Sequence, residues 1–374
     1  MSSLFHPLCG SNLSTFMRLL TTNGFVSPQR LPQAGIALAF TLLRWPFSTV
    51  ERLMIDLTRG QRSPIAAPIF IVGYWRTGTT HLHNLLSQAE AFGYISPLAT
   101  GLPWDVLGLV RMLEPLLELA LPSDRYVDNV AVKPDSPQED SIALASMAPV
   151  SYYHGLYFPQ HFRRHFSRGV FFAGCEAREI DQWRRQHVHL LEKVSIHQGG
   201  KQLLIKNPVY TGHISKLRAI WPEAKFIHMH RNPYVVFQST RHFFTRLLPE
   251  LALQTYDPEQ IAALIEALIL ESYPPMLNAL LADSANLPAD SFVDIRFEDL
   301  EANPLGEIEK IYQTLELPGF VQARPGFENY LASIQGYRKN SYPFDSETLQ
   351  RVESHWAPLI KRWGYTPPNP PGVA

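Results

Sequence analysis

The chain has 374 residues, 45% hydrophobic and 18% charged, which supplies a large core and excludes global disorder. Lys plus Arg is 33 against 34 Asp plus Glu, a net charge of -1, so the basic excess of a general nucleic-acid binder is missing and no nucleic-acid partner is expected. Two cysteines, Cys9 and Cys175, make neither a disulfide framework nor a Cys-rich metal site, and a reducing cytoplasmic compartment fits them.

Residues 1–62 read as a helical N-terminal extension, with apolar residues at helical spacing over Ser14–Leu20 and Pro32–Thr58. The opening Met-Ser-Ser-Leu-Phe-His-Pro lacks the basic start of a secretory signal. The most apolar stretch, Ala34–Leu43, is cut by Arg44 and Pro46, well short of the roughly 20 apolar residues of a spanning helix. It is expected to be a buried helix. The alternative is peripheral membrane contact through the N-terminal helices, which would make the protein membrane-associated.

After a polar break at Arg59–Pro64, Pro68–Val72 is a short, wholly apolar run that predicts a buried strand of a parallel sheet. A Gly-rich turn follows, then a helix over Thr80–Gln88 with Leu82, Leu85 and Leu86 on one face. The alternation recurs. Strands are expected at Gln202–Lys206, Lys225–His230 and Asp290–Arg296, and helices at His213–Trp221, Tyr234–Phe244 and Pro304–Leu315. This is the pattern of an α/β fold, a parallel sheet flanked by helices. Residues 63–365 form the expected main domain, with the helix- and loop-rich stretch 100–200 as an insertion on the acceptor side. The tail 366–374 belongs to a segment from Tyr365 that carries four prolines and is expected to be extended.

The turn reads Gly73-Tyr-Trp-Arg-Thr-Gly-Thr-Thr80, a Gly-x-x-x-x-Gly frame between a strand and a helix. That is the placement of a P-loop, whose backbone N–H groups and helix N-terminus wrap an anion. A kinase or GTPase needs Lys after the second Gly; here Thr79 stands there, and the cation comes earlier, at Arg76. Thr77, Gly78, Thr79 and Thr80 are the remaining candidate cradle residues. A second motif, Arg231-Asn-Pro-Tyr-Val-Val-Phe-Gln-Ser239, leaves a strand and enters a helix. Arg231 offers forked, charge-assisted bonds to a phosphate and Ser239 a hydroxyl. Taken alone, Arg231 reads equally as half of a structural salt bridge. Together the two motifs suggest a nucleotide with phosphates at two separate places. No spacing among His81, His83, His154, His213, His228 and His230 makes a ligand set, so no metal site is expected.

The two motifs in this order resemble those of the P-loop-like sulfotransferases that use 3′-phosphoadenosine 5′-phosphosulfate, in particular a bacterial branch. Leu204-Ile-Lys206-Asn-Pro208 is similar to the family's strand-end Lys, and Arg296-Phe-Glu-Asp-Leu300 to its Tyr-Glu-Asp-Leu segment. Tyr337-Arg-Lys-Asn340 sits where cytosolic members carry a basic loop over the 3′-phosphate, and Trp356 through Trp363-Gly-Tyr365 also looks typical. The resemblance spans residues 66–365 and implies a sulfotransferase domain, a sulfuryl-donor co-substrate and no metal. It implies Arg76 and Lys206 as catalytic cations, and Arg76, Thr77, Gly78, Thr79, Thr80, Arg231, Ser239, Arg338 and Lys339 as donor-binding residues.

The general base does not carry over. No acid lies in Phe92–Thr100, and Asn207-Pro208 replaces the Lys-x-His motif. Asp135-Ser-Pro-Gln-Glu-Asp140 resembles the Pro-Gln-Glu-Asp segment of the bacterial branch, which makes Glu139 and Asp140 the acidic candidates; His154, among the aromatic residues, is a further candidate, and Glu139 is favoured over it. A helix-capping role for Glu139 is the plainer alternative. Tyr152, Tyr153, Tyr157, Phe158, Phe162, Phe166, Phe171 and Phe172 either line a pocket for a small-molecule, carbohydrate or lipid acceptor or form an ordinary aromatic core. A P-loop kinase or hydrolase, or a non-catalytic nucleotide binder, are the competing functions.

Overall fold

The computed structural model describes residues 6–61, 64–112, 136–336 and 342–368. In chain order the elements are α1 (Leu13–Asn23), α2 (Leu31–Thr58), β1 (Ile69–Val72), α3 (Thr79–Leu86), β2 (Phe92–Gly93), α4 (Pro97–Gly101), α5 (Asp140–Ala145), α6 (Tyr153–Tyr157), α7 (Phe162–Phe171), α8 (Ala177–His197), β3 (Gln202–Lys206), α9 (Ile214–Ile220), β4 (Lys225–His230), α10 (Pro233–Leu251), α11 (Pro258–Ser284), β5 (Phe292–Arg296), α12 (Phe297–Ala302), α13 (Pro304–Thr314), α14 (Phe320–Ser333) and α15 (Ser346–Arg362). They fall into two compact units. The first comprises residues 1–66, 93–203 and 246–261, the second residues 67–92, 204–245 and 262–374.

The second unit is built on the sheet, whose strand order is β2-β3-β1-β4-β5. The pairings β1–β3, β1–β4 and β4–β5 are parallel. All four β1 residues are buried, as a central parallel strand covered on both faces requires. On one face Ile69 and Ile71 pack with Leu82, Leu85 and Leu86 of α3, with Ile227 and Met229 of β4, and with Ile308 and Ile311 of α13. On the other, Phe70 stacks on Phe226 at 5.6 Å and meets the edge of Tyr210. Trp356 of α15 stacks on Tyr273 at 4.0 Å, and its indole N–H donates to the Leu270 carbonyl at 3.0 Å. The expected strands and their flanking helices are therefore present. α10 and α11 run further than proline positions alone suggest, because the chain stays helical through Pro249, Pro274 and Pro275.

The first unit is mostly helical. Of the eight aromatic residues crowded between Tyr152 and Phe172, seven are buried and Phe171 alone is exposed, so the segment serves this unit's core. α8 opens with a capping box between Glu176 and Glu179. One expectation is corrected here. Ala34–Leu43 is helical, but it is not a buried helix: only Ala34, Ala37 and Thr41 face inward, while Phe40, Leu42 and Leu43 are exposed. The inward face of α2 also carries Gln33, Arg44, Ser48 and Glu51. Arg44 is ion-paired with Asp105, and Glu51 pairs with Lys193 at 2.6 Å. A buried charge must meet its partner, so these pairs fix which side of the helix turns in.

Burial also holds His6, His154, His165 and His189 of this unit neutral, with His6 lowered to about 4, His154 and His189 each to about 3, and His165 to about 2. In the unfolded chain each ring protonates near pH 6.5, so between those values the unfolded state binds more protons than the folded one. Their contribution is intact above about pH 6.5 and is lost as the pH falls from there toward about 2. Thermal unfolding should show stability falling below pH 6.5, by on the order of 1 kcal/mol per ring per pH unit. A melting temperature unchanged between pH 7.5 and 5 would mean that these rings are not held neutral.

Candidate active site

β1 lies at the centre of the sheet, with β3 on one side and β4 on the other. Chain connections leave in opposite directions at this switch point, and the carboxyl ends of the strands there are where open α/β sheets hold ligands. Three of the expected motifs emerge at that edge: the loop after Val72, Lys206 at the end of β3, and Arg231 just past β4.

The loop has the backbone of a cradle. Gly73 has φ 150° and Gly78 has φ 97°. A Cβ on Gly73 would stand 2.4 Å from the Met229 carbonyl, and one on Gly78 only 2.2 Å from the Phe297 ring, so neither position admits a side chain. The Gly73 amide donates to Thr211 Oγ1 at 2.9 Å, and Thr77 Oγ1 donates to the Tyr74 carbonyl at 2.8 Å. Arg76 has φ 69°, a left-handed conformation that costs a non-glycine residue about 1–3 kcal/mol. Strain of this kind concentrates where a backbone is shaped for a ligand. α3 begins at Thr79, so the first-turn amides around Thr79 and Thr80 point toward the loop opening without intrahelical acceptors.

The cations converge on this loop. The Arg76 Nε donates to Ser239 Oγ at 3.1 Å. Lys206 is buried, and its Nζ donates to Thr80 Oγ1 at 3.3 Å. Arg231 reaches the Arg76 carbonyl at 3.5 Å and lies over the Phe297 ring at 4.2 Å. Desolvation pulls the Arg231 pKa down, and the neighbouring Glu301 and Glu298 oppose that shift. Residues read from separate motifs thus meet at one loop, Arg231 and Ser239 on Arg76 and Lys206 on Thr80. The structure adds residues that spacing did not reveal. Phe297 fills the space above Gly78 and carries Arg231 on its face. Tyr342 shares a hydrogen bond with Ser239 at 3.1 Å. Glu298 accepts from the Asn232 amide at 3.0 Å and from the Tyr365 hydroxyl at 3.0 Å, which ties down the segment after Arg231. The Arg296–Leu300 segment was the one signal for Phe297 and Glu298; Tyr342 had none. Arg338 and Lys339 lie outside the described residues.

The base candidates belong to the first unit. Glu139 is half-buried just before α5, and its Oε2 accepts from the Ser141 hydroxyl at 3.0 Å. Its side chain does not cap the helix. Asp140 is buried opposite His187, at 3.5 Å. The His154 ring is fully buried, and its Nε2 donates to the Ala145 carbonyl at 2.8 Å.

A glycine-built loop at a sheet's switch point, with cations from two neighbouring strand ends, gives the chain a P-loop-like α/β architecture. The comparisons give the family. The profile described as the sulfotransferase family matches residues 68–322. The omega-hydroxy-beta-dihydromenaquinone-9 sulfotransferase Stf3 of Mycobacterium bovis is 29% identical over 359 residues, 95% of this chain and 90% of that one, and the protein of that name in Mycobacterium tuberculosis matches equally. The fold is that of the sulfotransferase STF9 from Mycobacterium avium, with TM-score 0.67 at 16% identity over 95% of this chain and 91% of that one. STF1 from Mycobacterium tuberculosis H37Rv gives 0.61 at 20% identity over 93% and 91%. The chain belongs to the sulfotransferase family, and it is an enzyme of the transferase class. Family membership sets aside the kinase reading.

Proposed function

We propose that the protein transfers a sulfuryl group from 3′-phosphoadenosine 5′-phosphosulfate to a hydroxyl on a largely apolar, lipid-like acceptor. The observation that carries the donor is the network joining Arg76, Ser239 and Arg231 at one loop, with Lys206 beside it on Thr80. Arg231 and Ser239 take the 3′-phosphate. The loop amides, Arg76 and Lys206 take the 5′-phosphosulfate. The acceptor oxygen attacks sulfur, the bond from sulfur to the 5′-phosphate oxygen breaks, and the electron pair leaves on that phosphate. The products are a sulfate ester and adenosine 3′,5′-bisphosphate. Charge builds on the departing phosphate, so fixed cations and amides aimed there lower the barrier. Glu139 takes the acceptor's proton. It is preferred to His154, whose ring nitrogens are buried and whose pKa burial holds near 3.

The acceptor class rests on the Stf3 relative, whose name gives its substrate as an omega-hydroxy-beta-dihydromenaquinone. A radiolabelled sulfuryl donor offered to long-chain alcohols, sugars and amines tests this reading. Label is expected on the long-chain alcohols. Label confined to sugars or amines would overturn the acceptor class, and no label anywhere would overturn the donor.

The donor assignment makes its own prediction. Arg231→Ala should weaken adenosine 3′,5′-bisphosphate but leave adenosine 5′-phosphate nearly unaffected, because a charge-assisted bond contributes about 1.5–3 kcal/mol. Calorimetry with both ligands reads the difference. Equal loss for the two would make Arg231 a structural support on Phe297.

A further inference from the structure

We infer that the outward face of α2 is a membrane-docking surface that lies in one leaflet of an anionic bilayer. The proposal does not depend on the acceptor reading above. Of the sixteen exposed large apolar side chains among the described residues, twelve fall between Met17 and Leu57. Ten of them are on α2, a helix of 28 residues and thus about 42 Å long. They include Phe40, Leu43, Trp45, Phe47, Val50 and Leu57, with Leu43 71% and Leu57 78% exposed. A soluble helix of this length turns such a face to its own core and its polar residues to water. On α2 five of the eight buried residues are polar, Gln33, Thr41, Arg44, Ser48 and Glu51, beside Ala34, Ala37 and Ile55.

This orientation is fixed by chemistry inside the first unit. Arg44 is paired with Asp105 and donates to the carbonyls of Cys9 and Ser11, each at 2.7 Å. Glu51 pairs with Lys193 and accepts from the Leu107 and Gly108 amides at 3.1 and 2.7 Å. Lys193 also donates to the Pro103 carbonyl at 2.8 Å. Rolling the helix to hide its apolar side would strand two buried charges and their partners, so the fold specifies the outward hydrocarbon.

Three observations favour a bilayer over a protein partner. Between Leu31 and Val50 no charged side chain is exposed, whereas a protein interface has a polar rim around its apolar centre. Exposed charge begins only at the C-terminal end, where Arg59 is engaged by Glu192 and Asp56, and Arg52 is the cation turned toward the level of anionic headgroups. Trp45 stands among the outward residues, and an indole prefers the boundary between headgroups and hydrocarbon. Phe25, 97% exposed just after α1, extends the apolar surface within the same unit. Among the described residues no helix is long and apolar enough to cross a membrane, so the helix lies along the surface.

The test uses the full chain with sucrose-loaded vesicles of phosphatidylcholine and phosphatidylglycerol. The wild type is expected to sediment with them. The double variant Leu43→Glu, Phe47→Glu should lose at least about tenfold in partition while keeping its circular dichroism and melting temperature, since both side chains already face outward. Trp45 fluorescence should shift to the blue and be quenched by brominated lipid, and Trp45→Phe should remove that response. Failure of the wild type to sediment would overturn the proposal, as would equal sedimentation of the double variant. A dimer in light scattering that the same substitutions dissociate, with no vesicle uptake, would assign the face to a second copy of the chain. Sulfuryl transfer to a detergent-dispersed acceptor should be the same in the double variant, which separates docking from catalysis.

Discussion

Lys206→Ala and Arg76→Ala are each expected to lower turnover at saturating donor by about 10²–10³, the usual loss when one fixed donor to transition-state charge is removed. Lys206 is placed by the sheet: it closes β3 in register with Ile71 of β1, and its Nζ rests on Thr80 Oγ1 at the start of α3. In the proposed reaction an amine there would meet the charge that develops as the bond to the 5′-phosphate breaks. Arg76 approaches from the loop, its Nε donating to Ser239, the hydroxyl assigned above to the 3′-phosphate. The two substitutions should differ in their effect on donor affinity. Lys206→Ala should act mainly on kcat, because sulfuryl charge is redistributed only in the transition state. Arg76→Ala should lower both, because it also loosens Ser239. Arg76→Lys restores the charge without the fork and should recover affinity better than rate. Single-turnover rates beside calorimetric donor affinities separate these effects. Wild-type turnover in either alanine variant would remove that residue from the chemistry.

The parts of the site that were readable share one property: their chemistry is local in the chain. The Gly73–Thr80 loop carries its strand, its turn glycines and its helix start within a few residues, and Arg231 through Ser239 does the same. What was hidden depends on contacts between distant segments. Tyr342 meets Ser239 across 103 positions, and the reason Gly78 must lack a side chain is a ring at Phe297. Neither is visible until the sheet brings those segments together. The helix α2 shows a second limit. Its period was legible, but a period says only which residues share a face, not which face turns inward. That choice was made by Asp105, 61 positions from Arg44, and by Lys193 on α8. α11 was missed for a local reason, since Pro274 and Pro275 argue for a break that the surrounding packing overrides.

Glu139→Gln is expected to reduce sulfuryl transfer by about 10²–10⁴ with the fold intact, the range for loss of a positioned proton acceptor. The acceptor hydroxyl is a poor nucleophile until its proton leaves, and glutamine keeps the size and the oxygen of glutamate but cannot take that proton. The surroundings of Glu139 suit the substitution. Its Oε2 accepts from the Ser141 hydroxyl, a bond that an amide oxygen can still accept. The neighbouring acid, Asp140, sits buried against His187 and serves as the anchor of α5. The pair differs in burial, with Asp140 fully buried and Glu139 half-buried. Asp140→Asn should accordingly lower the melting temperature, whereas Glu139→Gln should not. The pH–rate profile gives the decisive readout. A carboxylate base loses activity as acid protonates it, so the wild type should decline on the acid side and the glutamine variant should lose that limb. If Glu139→Gln transfers at the wild-type rate with the same profile, the proton goes elsewhere. His154→Gln would then be the next variant, although its fully buried ring and its bond to the Ala145 carbonyl predict a loss of stability in place of a loss of rate.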